Sequence, residues 1–204
     1  MADHAAVATP PEAPPGGPPP IPDFQIVPLK GIPIVAVAVV GLVAAIWSNN
    51  LWALTFFHIV GGGLWTGIDL FVGLIVGPII GRLSVPARID FTTKFMPKMV
   101  LIMPTLVTMT LASGWQLARH LGNLNSSSPN HSWLVASFIV VGIMATIAIG
   151  LLEPANLAVL FELKKPRPNP MRIQRLMKIF IYTAGVTGIL QVATLIIMTR
   201  VSSQ

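Results

Sequence analysis

Past residue 28 the chain alternates between long apolar runs and short polar breaks. A helix needs about 20 apolar residues to cross a bilayer, and five runs come close to that length or exceed it. The first goes from Leu29 to Trp47 and stops at Ser48-Asn49-Asn50. The second, Leu51 to Gly81, is longer than the hydrocarbon requires and is expected to tilt or run past it. A third spans Met96 to Trp115 and extends to Arg119. Trp133 to Leu163 forms the fourth, interrupted by Pro154. A kink is expected there, because proline lacks an N–H and its ring crowds the carbonyl four residues back. The last is Ile179 to Met198. The pattern predicts an all-α polytopic membrane protein with five transmembrane helices. No internal repeat is visible, which disfavours an inverted-repeat transporter.

Composition supports this class. Only 10% of the 204 residues are charged, and the mean hydropathy is +0.76. Soluble domains carry about 25% charged residues, and so few charges cannot cover a soluble particle. A soluble catalytic domain and nucleic-acid binding are therefore excluded, and the lipid bilayer is the first partner. Without cysteine the chain has no disulfide, thiolate nucleophile, cysteine-ligated zinc or iron–sulfur cluster.

The net charge of +6 bears on orientation. With five crossings, Lys30 and the loops at 82–98 and 164–178 share one side and hold eleven Lys/Arg, against Arg119 and Arg200 on the other. This asymmetry predicts a cytoplasmic N-terminus in a prokaryotic plasma membrane. Both basic loops are expected to lie amphipathically on the inner leaflet, in contact with anionic lipid.

Residues 1–28 form a Pro-rich N-terminal tail, and residues 29–204 form the transmembrane domain. Nine prolines in the tail favour extended polyproline II and preclude a packed core of its own. An extended, pre-stiffened segment docks at low entropic cost. The tail reads either as a disordered extension or as a docking segment, and the second predicts other membrane subunits and a place in a larger prokaryotic complex, respiratory or redox in kind.

Polar side chains inside a bilayer are costly, and each one there is a functional candidate. His58, Gly62, Trp65 and Asp69 recur at i, i+4, i+7 and i+11, on one helical face. A histidine and an aromatic residue with glycine between them leave room for a flat ligand such as a porphyrin. The same glycines, with Gly61, Gly63, Gly73, Gly77 and Gly81, equally suit close helix packing. A polar conduction path is the third reading. His58 lies roughly 10 Å below the end of its helix, near the level of Gln191 and Met109. Met109 and Met144 read as core filler. Asp69 and Glu153 lie at matching depths of about 27 and 30 Å, a pair that either relays protons or fixes helix register. Gln116 and Gln191 suit interhelical hydrogen bonds.

The run His58-Ile59, Trp65 and Gly67, then Lys98, Pro104 and Gly114 beyond a basic loop, resembles the HemJ/CopD-like group of small membrane proteins. That resemblance implies a helical membrane protein in which a histidine and a lysine help bind haem b. It places haem b at His58, the metal ligand, with Trp65 as a cofactor-binding neighbour, and the shared helical face adds Gly62 beside them. Lys98 lies some 20 Å below His58 and does not suit the opposite axial position. Two functions accompany the subunit reading: a stand-alone HemJ-like haem-binding oxidoreductase, and a proton- or ion-conducting component using Asp69 and Glu153. Deleting Met1 to Asp23 is expected to weaken retention of partner subunits while leaving the helices folded, as checked by co-purification and circular dichroism.

Overall fold

The computed structural model describes residues 24–203, and among them there are helices and connections but no strands. Five helices are long and apolar enough to cross a membrane: α1 (Leu29–Ser48), α2 (Leu51–Arg82), α3 (Val85–His120), α4 (His131–Leu163) and α5 (Pro170–Ser202). The chain is an all-α polytopic membrane protein. The expectation that residues 1–23 dock on a partner lies outside the described residues. Phe24 and Ile26, just beyond them, pack against the bundle core.

The helix starts are set by local chemistry. Asn49 takes a left-handed conformation (φ 48°) that ends α1. Asn50 then caps α2, its side chain accepting a hydrogen bond from the Ala53 N–H. Asn169 caps α5 in the same way through Met171 and Arg172, with Pro170 at the first helical position.

Two expected boundaries are corrected. The 82–98 segment is not a loop lying along the leaflet: α3 begins at Val85, straight after the Ser84 turn and with Pro86 near its start. Likewise α5 begins at Pro170 and not near Ile179. Apolarity marks only the stretch inside hydrocarbon, whereas caps and prolines start these helices several turns earlier. At 36 and 33 residues, α3 and α5 are about 54 and 50 Å long and exceed a roughly 30 Å hydrocarbon layer.

Pro154 acts through a wider turn. Residues Ala148–Leu152 form a π-helical segment directly ahead of Glu153-Pro154. Val72–Val76 does the same ahead of Gly77-Pro78 in α2. Widening the helix relieves the clash between the proline ring and the preceding turn.

Helix α2 is the central element. It crosses α5 with backbones nearly touching: a Cβ on Gly73 would run into the Gly185 backbone, and one on Gly188 would lie 3.1 Å from the Leu70 nitrogen. Gly61 brings α2 equally close to α3, where a Cβ would sit 2.8 Å from Thr110 Oγ1. The packing role of glycine therefore falls on Gly61, Gly73, Gly77 and Gly188, whereas Gly63 and Gly81 face open space. α1 lies along α3 and is the least buried span. α3 packs closely on Glu153–Leu163, but the His131–Ile147 part of α4 diverges from it. The rings of Trp115 and Phe138, 5.7 Å apart, bridge the gap.

At the basic end Glu162 fastens the α4–α5 connection. Its carboxylate pairs with Lys165 at 2.7 Å and Arg172 at 3.4 Å and accepts the Asn169 N–H. At the other end Gln116 donates to Asn49 across 3.0 Å, the interhelical role expected of it.

Gly73→Val is expected to destabilise the bundle by at least about 1–3 kcal/mol, because its new side chain meets backbone that cannot rotate away. Gly67→Ala, which points into open space, should stay within about 1 kcal/mol of wild type. Thermal unfolding in detergent, followed by circular dichroism, measures both.

Candidate functional site

The His58 side chain crosses from α2 to α3. Its Nδ1 lies 2.9 Å from the Thr110 carbonyl oxygen. A carbonyl only accepts, and so Nδ1 donates in this bond; the tautomer it selects keeps the lone pair on Nε2. Gly114, one turn beyond Thr110, provides the slot. A Cβ there would lie 2.6 Å from His58 Cε1. Local sequence thus fixes the ring: glycine makes the space and a main-chain oxygen sets the orientation.

His58, Gly62 and Trp65 line a single cavity of about 210 Å³, as their shared face predicts. Its other walls include Gly114 of α3, Ser137 and Met144 of α4, and Gln191 of α5. Gly62 is not forced by packing, since a Cβ on it would make ordinary contact with Thr110 Cγ2 at 3.5 Å. The cavity sits where α3 and α4 diverge. Ile59, Trp115 and Leu195 on its walls are exposed, and so it opens sideways.

Asp69 lies one turn beyond Trp65 and is buried. Its Oδ2 accepts the Thr187 hydroxyl at 3.0 Å and the Gln191 amide at 2.7 Å. The Trp65 indole N–H stands beside the same carboxylate. Gln191 therefore touches both places: it lines the cavity, and its nitrogen is bonded to Asp69. Its Oε1 is buried without a partner.

Glu153 is placed elsewhere. It lines a second cavity of about 210 Å³ with Trp65, Met103, Thr108 and Leu152. Among the described residues its carboxylate has no hydrogen bond and no ion pair, and it is not bonded to Asp69. Trp65 borders both cavities. Asn156 is fully buried with both side-chain polar atoms unpartnered.

Comparison of the chain with protein-family models, curated proteins and solved structures finds no match. The site must be read from its own chemistry.

Among the described residues no three His, Cys, Asp or Glu gather as a metal cage. The donor set at the cavity is one imidazole, which suits an axial ligand of a macrocycle better than a bare ion held by protein alone. Lys98 is exposed on α3, twelve residues before Thr110 and hence about 18 Å from the level of His58. Met109 and Met144 are both core residues, and Met144 also lines the cavity, its Sδ facing the Thr194 hydroxyl at 3.8 Å.

Sequence reading misses the Thr110 carbonyl, which no residue type marks, and Thr187. The Thr187–Gln191 pair is visible as two polar residues one turn apart in an apolar run, but its partner is not. Asp69→Leu is expected to cost about 1–3 kcal/mol, since it strands the Gln191 amide donor, whereas the Thr187 hydroxyl can turn to the Thr183 or Ala184 carbonyl. Asp69→Asn, whose carbonyl still accepts both, should cost distinctly less. Unfolding titrations in mixed micelles give the order.

Proposed function

We propose that this chain is a haem b-binding membrane protein, working as a subunit of a prokaryotic redox complex, with His58 as the iron ligand. One observation carries the reading: the His58 Nδ1–Thr110 carbonyl bond leaves Nε2 as a lone-pair donor on a side chain that lines an apolar cavity. Histidines that bind metals commonly have the other ring nitrogen tied to a carbonyl or carboxylate, which fixes the ring and raises its basicity.

The residues around His58 fit the group. Gly62 keeps the wall beside the imidazole low, and Trp65 offers an apolar edge. The enclosed volume is below the roughly 300–1,000 Å³ of fully closed ligand sites, and the cleft is open toward lipid, which suits a partly enclosed macrocycle. When bound, haem supplies a one-electron couple whose potential depends on axial ligation and burial. His58 would hold the iron through Nε2, and Met144 and Gln191 line the same cavity. The resemblance of the His58–Gly114 stretch to HemJ/CopD-like proteins points the same way.

The Gln191–Asp69 bond favours a second role, in which Gln191 orients a buried Asp69 carboxylate that itself takes up and releases a proton. Glu153, which lines the other cavity, is the less favoured partner in such a role. The subunit assignment rests on the Pro-rich tail.

A reduced-minus-oxidised spectrum of the purified full-length chain is expected to show b-type bands. They should vanish in His58→Ala, weaken in Gly114→Val, whose side chain takes the imidazole slot, and persist in Lys98→Ala. Folded protein without bands, or bands that survive His58→Ala, would overturn the reading.

A further inference from the structure

The other end of the α2–α5 pair holds a separate cavity of about 270 Å³, which the haem reading does not use. It lies beyond the tight Gly73–Gly185 crossing, where the two helices part toward the basic end. Arg88, Lys178, Gln174 and Tyr182 give it polar walls, and Ile80 and Ile181 give it apolar ones. Gln174, Lys178 and Tyr182 recur every fourth residue along α5 and form one face. The small residues Gly77 and Gly81 form the opposing shelf on α2.

Two features suit this cavity to an anion. The first is charge. No carboxylate lines it: Asp90 is paired with Lys94, and Glu162 with Lys165 and Arg172. Arg88 and Lys178 have no acidic partner among the described residues. The second is hydrogen bonding. Arg88 is held by Nη2 to the carbonyls of Gly81 and Leu83, at 3.4 and 3.2 Å, while its Nε is buried with no partner. A guanidinium with an unpaired buried donor is costly until an acceptor reaches it.

The position identifies the anion. Arg82 and Arg175 adjoin the cavity in sequence, and the end of the bundle that carries eleven Lys/Arg lies around it. Going the other way, its apolar walls lead along α2 and α5 into the hydrocarbon-spanning stretch. An occupant therefore needs a negative head at the membrane surface and an apolar chain below it. We propose that the cleft between the basic ends of α2 and α5 binds an anionic phospholipid, its phosphate held by Arg88 and Lys178 and an acyl chain laid against Ile80 and Ile181. Arginine and lysine are suited to this task as phosphate binders, the guanidinium through several aligned donors.

Native mass spectrometry of the full-length protein from micelles with equimolar phosphatidylglycerol and phosphatidylcholine tests the site. Phosphatidylglycerol should be retained selectively. Retention should fall about fivefold for each cation removed in Arg88→Gln and Lys178→Gln, and stay unchanged in Arg119→Gln and Arg200→Gln at the opposite end. Gly81→Leu provides the decisive arm. It keeps every charge and adds an apolar side chain at a residue that lines the cleft, where a Cβ meets nothing within 4 Å, so it too should lose the lipid. Equal retention of both lipids by wild type overturns the proposal. So does a Gly81→Leu protein that binds like wild type, which would mean diffuse surface attraction. Displacement of the lipid by millimolar inorganic phosphate alone would make the cleft a free-phosphate site and also overturn it. Each variant is first shown to keep its helical spectrum; if the arginine variant does not fold, Lys178→Gln and Gly81→Leu decide the matter.

Discussion

The near contact of the α2 and α5 backbones is the constraint on which the rest of the bundle depends. Lipid tails are as apolar as leucine, so burying leucine against leucine gives little drive to join two helices in a membrane. Close backbone approach and hydrogen bonds must do it. Gly73, Gly185 and Gly188 permit the approach, and one or two turns away Asp69 accepts from Thr187 and Gln191. The polar bonds fix the rotation of each helix about its axis, while the glycines fix the separation. With α2 so clamped, the face carrying Gly61 must meet Thr110. His58, three residues before Gly61 on α2, is thereby delivered to the Thr110 carbonyl.

Proline shapes the same two helices that carry Asp69 and Glu153. In α2 the π-helical turn falls just after Asp69, and in α4 just before Glu153. A π-turn adds a residue to the helical circuit and rotates the C-terminal part of the helix relative to the N-terminal part. This re-aiming lets α2 present Asp69 to α5 above the turn and Gly77 to Ile181 below it. It also accompanies the change in α4 from a stretch that stands off α3 to one that packs on it.

How much of this is legible in the chain depends on whether one helix or two is needed to see it. The five spans, their all-α class and the shared face of His58, Gly62 and Trp65 are properties of single helices, and hydropathy with a 3.6-residue period reveals them. The true starts of α3 and α5 escape such a reading because Val85–Phe95 and Pro170–Lys178 are amphipathic, and an apolar-run criterion ends where charge begins. The match in depth between Asp69 and Glu153 is measured along each helix separately. It says nothing of rotation: Asp69 is bonded to Thr187 and Gln191, whereas Glu153 lines a different cavity. Thr110 and Gly114 are invisible as a histidine seat because the seat exists only when α2 lies against α3.

The Trp115–Phe138 bridge has a consequence for how anything reaches the cavity. The rings meet across a gap between α3 and α4, two helices long and apolar enough to cross a membrane, and a gap in such a bundle opens toward the bilayer. A molecule entering there comes sideways from the bilayer. Its effective concentration is then set by partitioning, and occupancy depends on mole fraction in lipid in place of aqueous molarity. Two ligands of equal intrinsic affinity would differ in apparent affinity by the ratio of their partition coefficients. Swelling or thinning the membrane would shift that apparent affinity without altering a single contact inside the protein.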